Sequence, residues 1–274
     1  MGPETVLREM GVLDSFQTFV LILGLILGRM IPILTMNPFL GGQVMPANLK
    51  IGFSILVAIL VYQPITAGMT HGVPQETLPY VALLIKEIIF GTALGFISSL
   101  VFYGVQSAGR ILDQARGASM AQMLAPQTGG QVSQFGELKF QFSIVLFFLL
   151  NGHHFFLRAI FMSFESVPLE SIPRFLQMSS SAIHLMAWTS GQVFTIGLLL
   201  AAPAVVAIFL TDLVFGVLNR VAPQINVFFL SMPVKMMLGI VIILFVLGFL
   251  AQQMRDHFVQ MLRDVYGVIS MFRG

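Results

Sequence analysis

The amino-acid sequence predicts an all-α protein of the integral membrane type, built from hairpins of about six or more long, kinked, hydrophobic helices. Hydrophobic residues make up 57% of its 274 residues and charged residues only 9%, a composition that excludes a soluble domain of this length. Long apolar segments recur along the chain, and several reach the roughly 20 residues that a membrane-spanning helix needs. Clusters of proline and glycine separate these segments and predict the turns between helices.

Charge and cysteine content exclude several classes of protein. The net charge of +2 is too small, and the basic residues too scattered, for a nucleic-acid-binding protein. No polar linker marks a boundary, so a single domain over residues 1–274 is predicted. The absence of cysteine excludes disulfides and thiolate metal sites. Acidic residues precede the first apolar segment and no small-residue cleavage site follows it, so we expect that segment to remain in the mature protein.

The first two apolar segments are predicted to form a helical hairpin. The first runs from Val12 to Leu34. The second runs from Ile51 to Tyr62, and we expect Pro64 to end it. The break between the two contains Pro38, Gly41, Gly42 and Pro46.

A third segment runs from near Tyr80 to about Ser107 and completes a group of N-terminal helices that ends at residue 108. Three glycines along it suit close approach of neighbouring helices, because a residue without Cβ lets two backbones pack together. They are Gly91, Gly95 and Gly104.

A polar, glycine-rich stretch at residues 109–131 lies between two nearly charge-free flanks. Irregular backbone between membrane helices must be covered by protein or line a wet cavity, so this stretch is the candidate for the working part of a channel. The alternative is a plain interhelical loop. Its charged residues have helical i,i+3 spacing, and its small and flexible residues suit deformable packing. The candidates are Arg110, Asp113, Arg116, Gly117, Ala118, Ser119, Met120 and Met123.

The C-terminal helices, residues 132–274, begin with a segment from Glu137 to about Ser163 that polar residues interrupt near its middle. The stretch from Phe175 to Thr211 has no Asp, Glu, Lys or Arg and exceeds one bilayer thickness, so it is either one long kinked helix or two. A last apolar helix is expected at residues 234–251, followed by an amphipathic, basic tail.

Several charged residues lie within or beside the apolar segments, where an unpaired charge costs several kcal/mol. Few counter-charges lie near them in sequence, so we expect some of their partners to belong to other subunits. These residues are Arg29, Lys86, Glu87, Arg158, Asp212, Arg220 and Lys235.

No pattern in the sequence predicts an enzyme, a cofactor or a metal. The adjacent His153 and His154 point in different directions on a helix, and no third ligand lies three or four positions away. We instead expect Asn151 and His153 to bond across helices. No nucleophile motif, catalytic carboxylate pair or phosphate-binding loop is present.

Two other classes of membrane protein share some of these sequence features. A polytopic secondary transporter would also have broken helices and intramembrane charges, but it predicts an internal repeat, and none is convincing here. An intramembrane hydrolase needs a nucleophile with a base on a facing helix, and the histidines in apolar context have no motif-level partner.

The C-terminal part of the chain resembles a known family. Residues 219–235 read Asn-Arg-Val-Ala-Pro-Gln-Ile-Asn-Val-Phe-Phe-Leu-Ser-Met-Pro-Val-Lys and resemble the C-terminal signature of the FliR/SctT family, the export-gate subunits of type III secretion systems. The resemblance extends to residues 151–153, 109–117 and 29–32, and so covers nearly the whole chain. The sequence of residues 113–117 is more similar to that of injectisome members, and the sequence of residues 151–153 is more similar to that of flagellar members. The resemblance therefore leaves both types of system possible and slightly favours the injectisome.

The resemblance implies a subunit of the protein export gate in the bacterial inner membrane, at the base of a flagellum or injectisome. In such a gate a single copy is wound with FliP/SctR-like and FliQ/SctS-like subunits into a short helical assembly, with FlhB/SctU-like and FlhA/SctV-like proteins and membrane lipid around it. Unfolded secreted proteins pass through, and the central loop, within residues 110–125, plugs the closed channel. The polar turn at Arg220 is either a capped turn or an inter-subunit contact. Structural or interface roles are expected for Arg29, Asn151, His153, Arg220, Pro223, Asn226, Pro233 and Lys235.

Overall fold

The structure is a computed structural model that describes residues 12–40, 46–69, 72–117, 133–171 and 175–271. Within these residues it contains seven α-helices, one short 3-10 helix and no strand, which confirms the all-α prediction. The helices are α1 (Val12–Met36), α2 (Ala47–Gly68), α3 (Thr77–Ala115), α4 (Gln134–Leu149), α5 (Gly152–Ser166), α6 (Phe175–Val221) and α7 (Val227–Met271), and the 3-10 helix is Pro38–Leu40.

Prolines end fewer helices than the sequence predicted. Pro64 was expected to end α2, but that helix continues through it to Gly68, so the prediction is wrong. Pro203 and Pro233 likewise lie inside α6 and α7. In apolar helices the carbonyl that a proline leaves without a partner is satisfied by local adjustment and by neighbouring groups, so the helix is bent rather than ended. The charge-free stretch is therefore one long helix, α6.

The lengths of the helices agree with the predicted membrane class. Among the described residues, five helices are long and apolar enough to cross a membrane, or up to six if the bent pair α4 and α5 counts as one span. The helix α6 has 47 residues, about 70 Å at 1.5 Å per residue, and therefore exceeds a bilayer core of about 30 Å.

The helices contribute to two compact units. The first comprises residues 1–99, 153–187 and 261–274, and the second comprises residues 100–152 and 188–260. The three long helices α3, α6 and α7 each contribute residues to both units.

In the first unit, α3 packs against α1 through two glycines one turn apart. A Cβ on Gly91 would lie 2.3 Å from the carbonyl oxygen of Arg29, and a Cβ on Gly95 would lie 3.0 Å from that of Pro32. No side chain fits at the first distance, so the two backbones meet directly. This confirms the close approach that the sequence predicted for these glycines.

In the second unit, α3 approaches α6 and an aromatic cluster fills the space beside it. A Cβ on Gly104 would lie 3.0 Å from Cγ2 of Ile196, so this glycine too marks a close helix contact. The rings of Phe102, Phe147 and Phe258 lie with their centroids 5.1–5.4 Å apart, which is within the range of favourable aromatic pairs.

Much of the apolar surface remains uncovered by the chain itself. Leu60 on α2 is 69% exposed, Phe194 on α6 is 80% exposed and Phe245 on α7 is 85% exposed. Contiguous apolar surface of this kind requires lipid or other protein chains in contact with it.

We expect Gly91→Ala to lower the free energy of unfolding by about 1–3 kcal/mol, because the new methyl group would force α1 and α3 apart. Thermal unfolding in detergent micelles measures the change. Gly52→Ala on α2 is the matched control, because nothing lies within 4 Å of its Cβ position, and it should raise stability by up to about 1 kcal/mol through the higher helix propensity of alanine. Equal losses from both variants would contradict the packing role of Gly91.

Candidate functional site

Arg29 on α1 lies fully buried at the centre of a charged cluster in the first unit. Its Nε donates to the carboxylate of Glu87 on α3, and the two side chains are both 0% exposed. Its other nitrogens donate to the carbonyl oxygens of Ser163 and Val167, each at 2.8 Å. One guanidinium therefore joins α1, α3 and the C-terminal end of α5.

Lys86, the neighbour of Glu87 in sequence, holds the segment that follows α5. Its Nζ donates to the carbonyl oxygens of Pro168 at 2.8 Å, Leu169 at 3.2 Å and Ser171 at 2.9 Å. The same nitrogen lies 2.8 Å from the carboxylate of Glu87. Arg29 therefore bonds to carbonyl oxygens at the C-terminal end of α5, where a cation is favoured by the helix dipole, and Lys86 bonds to those of the segment just beyond it.

Two aromatic rings complete the surroundings of the Arg29 guanidinium. The ring centroids of Phe90 and Phe164 lie 4.9 Å and 4.1 Å from its Cζ atom. A guanidinium at these distances gains cation–π attraction, which is larger when water is excluded. The guanidinium of Arg29 thus has a carboxylate, two carbonyl oxygens and two aromatic rings around it within this unit.

Five of the seven charged residues in or beside the apolar segments have ionic partners within the chain, so for these five no other subunit is needed. Arg29, Lys86 and Glu87 are partners of one another within the chain. Asp212 on α6 forms an ion pair with Lys235 on α7. The partners were missed because Arg29 and Glu87 are 58 residues apart, beyond the reach of any helical spacing.

A second charged cluster, in the second unit, joins the end of α3 to the start of α4. The carboxylate of Asp113 accepts a hydrogen bond from the hydroxyl of Ser133 at 2.5 Å and another from the backbone N–H of Phe135 at 3.0 Å. It also pairs with the guanidinium of Arg116, whose Cζ lies 3.8 Å from the centroid of the Phe135 ring. We call these four residues the Asp113 clasp.

The start of the central stretch is helical rather than irregular. The helix α3 continues through Ala115, so Arg110 and Asp113 lie on its last two turns, and Gly117 follows in a turn with φ of 78°. Arg110 is exposed and bonds to Gln106 on its own helix. The other four candidates, Ala118, Ser119, Met120 and Met123, lie outside the described residues.

Sequence reasoning missed Ser133 and Lys139. Ser133 precedes α4, and its Oγ accepts from the N–H of Gly136 at 3.0 Å, which makes it the N-cap. A serine just before an apolar run is a recognisable helix start, so this residue could have been found. Lys139 is buried and donates to the carbonyl oxygen of Leu200, a contact for which the sequence holds no signal.

The family-like C-terminal signature surrounds the turn between α6 and α7. Arg220 is exposed in the last turn of α6, Pro223 lies in the turn, and Asn226 precedes α7 and accepts from the N–H of Phe229 at 3.5 Å. An open cleft of about 570 Å³ beside this turn is lined by apolar residues and by the amide side chains of Asn219, Gln224 and Asn226. The polar groups of this region therefore face outward from the described chain.

The histidine pair lies at the break between α4 and α5. Asn151 forms the break with φ of 57°, a left-handed conformation that asparagine tolerates better than most residues. The rings of His153 and His154 lie 4.1 Å apart, centroid to centroid. Within the described part of the chain, no group of three His, Cys, Asp or Glu side chains is arranged to hold a metal ion.

Comparison with known proteins finds relatives along most of the chain. A sequence model described as bacterial export proteins, family 1, matches residues 20–261. Flagellar biosynthetic protein FliR of Bacillus subtilis is 26% identical over 264 residues, 95% of this chain and 98% of that protein. Yop proteins translocation protein T of Yersinia pestis is 32% identical over 225 residues, 82% of this chain and 85% of that protein. Surface presentation of antigens protein SpaR of Shigella flexneri is 31% identical over 231 residues, 84% and 86% of the two chains.

We expect Arg29→Met to lower the free energy of unfolding by about 3–5 kcal/mol, because it removes one partner of a fully buried carboxylate. Thermal unfolding in detergent measures the change. The second substitution Glu87→Gln should recover part of the loss, which a double-mutant cycle would detect as coupling.

The matched control is Arg255→Met, because Arg255 is 58% exposed and pairs only with its exposed neighbour Asp256. It should change stability by less than about 1 kcal/mol. Additive losses from the Arg29 and Glu87 substitutions would contradict the cluster as the element that joins these helices.

Proposed function

The chain belongs to the bacterial export proteins, family 1, the FliR/SctT family of type III secretion, and on this basis we propose that it is a core subunit of the protein export gate. It is a bacterial membrane protein and a component of a secretion apparatus. In the proposed gate it forms, with FliP/SctR-like and FliQ/SctS-like subunits, the inner-membrane channel through which unfolded proteins are secreted. The match to the family over residues 20–261 is the observation that carries this proposal.

The surface of the α6–α7 hairpin supports a place among other protein chains. Asp212 is 47% exposed and Arg220 is exposed, although both lie in a helix that is apolar enough to span a membrane. Charged groups in such helices are costly against lipid and normally face protein or a water-filled cavity. The hairpin therefore suits contact with neighbouring subunits, with Arg220 as an inter-subunit contact.

The proposed plug of the closed channel is the stretch that begins at Gly117. A channel for unfolded polypeptides must pass a chain when active and exclude ions when idle. Small residues followed by methionines suit both demands, because they can be displaced and can repack against different surfaces. On this proposal the plug residues are Gly117, Ala118, Ser119, Met120 and Met123, and the charged residues before them anchor the stretch.

The proposed subunit forms part of a conduit and catalyses no reaction of its own. The energy for export then comes from other components of the apparatus. A polytopic secondary transporter is the second candidate, and the relatives, which are named for flagellar biosynthesis and Yop translocation, favour the gate over it.

We expect the protein to be recovered with FliP/SctR-like and FliQ/SctS-like chains when it is purified from its native membrane in mild detergent. Mass spectrometry of the purified complex identifies the chains, and the soluble proteins beside them distinguish a flagellum from an injectisome. Arg220→Ala should lower the recovery of the partners. The control is Arg263, which is also exposed but lies on the amphipathic C-terminal segment, and Arg263→Ala should not lower it. A stable monomer or homodimer as the sole product would exclude the gate and favour the transporter.

Deletion of residues 117–120 should raise the leak of ions and small molecules through the assembled complex, because the deletion removes part of the proposed plug. The flux is measured after the complex has been reconstituted into liposomes, or in cells with the apparatus idle. Unchanged leakage from a correctly assembled variant would count against the plug.

A further inference from the structure

The α6–α7 hairpin of the second unit contains two charge-free stretches of equal length, one on each helix. No Asp, Glu, Lys or Arg occurs at residues 236–254 of α7 or in the adjoining part of α6, residues 193–211. Each stretch is about 28 Å long at 1.5 Å per residue, which is close to the thickness of a bilayer core, roughly 30 Å. Both helices could therefore cross a bilayer side by side along these residues.

An ion pair fixes one end of both stretches at the same level. Asp212 on α6 pairs with Lys235 on α7, each the residue next to its stretch. About two turns further along, Ala204 and Ile208 on α6 are buried in one cluster with Ile243 on α7, which agrees with the same antiparallel register. The two stretches therefore begin together at the ion pair and run in the same direction away from it.

The other end of the stretches has residues that are typical of a membrane surface. On α7 the stretch ends at the exposed Arg255, and by the same register Gln192 on α6 lies level with it. Trp188, the one tryptophan of the chain, lies about one turn beyond Gln192 and is 70% exposed. Tryptophan concentrates at the level of the lipid headgroups, because its ring is apolar and its N–H is polar.

The surface between these two ends is apolar and exposed on both helices. Phe194 and Leu199 on α6 and Leu244 and Phe245 on α7 are all exposed large side chains. Apolar surface of this extent needs a non-aqueous partner. Its match to the thickness of a bilayer core, with a charged pair at one border and a tryptophan near the other, favours the acyl chains of lipid as that partner.

The composition of α7 would also allow a different placement in the membrane. Val227–Phe245 is long and apolar enough to span a bilayer, and Lys235 would then lie near the bilayer centre. Its partner Asp212 has a side chain that is 47% exposed, and a charge exposed to acyl chains is costly. At the border of the bilayer both groups can instead reach water or headgroups. The ion pair therefore favours the stretch at residues 236–254.

The hairpin tip, residues 213–234, differs from the charge-free stretches in its polar groups. Arg220, Gln224 and Asn226 are exposed at the turn between the helices, together with apolar residues such as Val217 and Phe229. A mixed surface of this kind suits contact with protein beside the membrane better than contact with acyl chains.

We propose that the α6–α7 hairpin crosses the bilayer only along residues 193–211 and 236–254, whose exposed surface is covered by the acyl chains of lipid. The pair of Asp212 and Lys235 lies at one surface of the bilayer, Trp188 lies among the headgroups at the other, and the hairpin tip projects from the membrane. The inference goes beyond the proposed function, because it holds for a transporter as well as for a gate subunit.

The test measures depth at three evenly spaced, exposed positions of α7. Phe229→Cys, Met237→Cys and Phe245→Cys each place one spin label, about 12 Å apart along the helix, on a chain that has no cysteine of its own. The complex is reconstituted into liposomes, and electron paramagnetic resonance compares the access of oxygen and of a water-soluble nickel chelate to each label. The complex with the unsubstituted chain is the blank for thiols on other chains.

The proposal fixes the order of the three depths. The label at Phe245 should be deepest, about 15 Å inside the border, and that at Met237 should be about 3 Å inside it. The label at Phe229 should lie outside, with access of the nickel chelate severalfold higher than at Phe245. If the label at Met237 is the deepest and the outer two are equal, the bilayer is centred near Lys235 and the proposal is overturned. If neither reagent reaches the label at Phe245, protein covers the surface, which also overturns it.

A second pair of variants on α6 keeps the test decisive if Phe245→Cys does not assemble. Leu199→Cys should lie deep and Val221→Cys should lie outside, and both positions are exposed. Equal depths at these two positions overturn the proposal, because they would place the bilayer centre midway between them, beside the ion pair.

The fluorescence of Trp188 tests the opposite border. The difference in emission between the complex with the unmodified chain and the complex with Trp188→Phe isolates this one residue. Lipids brominated near the headgroup should quench it more than lipids brominated near the end of the acyl chain. The reverse order, or no quenching by either lipid, overturns the placement.

Discussion

The structure depends on one electrostatic requirement: a charge buried among apolar helices must have its partners within reach. Arg29 and Glu87 have no exposed surface, and an uncompensated charge in such a place would cost several kcal/mol. Their pairing, together with the carbonyl oxygens of Ser163 and Val167, fixes α1, α3 and the end of α5 with respect to one another. The close contact of Gly91 with the backbone of Arg29 lies beside this cluster.

The same requirement applies at the start of the central stretch, where the buried charge that needs partners is the negative charge of Asp113. One cation, Arg29, stabilises the C-terminal end of α5, and one carboxylate, Asp113, stabilises the N-terminal end of α4. Both arrangements follow the direction of the helix dipole. Some of the few charges of the chain therefore act at or near helix ends, and others, such as Arg29 with Glu87 and Asp212 with Lys235, pair with one another between helices. This leaves long helical surfaces apolar and available for lipid or for other chains.

A subunit with the proposed function needs both properties. Its own fold must be firm enough to hold the channel-forming segments, and its surface must remain incomplete until neighbours cover it. The buried clusters meet the first need, and the exposed apolar residues of α2, α6 and α7 meet the second. Arg220 and Gln224 lie exposed at the turn between α6 and α7, and Asn226 beside them accepts from the backbone N–H of Phe229.

The sequence by itself determined the membrane class, the helical hairpins, the family and the glycine contacts at Gly91 and Gly95, because composition and local spacing carry that information. Helix ends were predicted less well, since a proline such as Pro64 is tolerated where packing satisfies the backbone. Helical spacing already related Asp113 to Arg116, but only the tertiary structure decided the partners that lie far apart in the sequence. Arg29 meets Glu87, and Asp113 meets Ser133, across 58 and 20 residues, because three-dimensional packing brings together groups that no helical period relates.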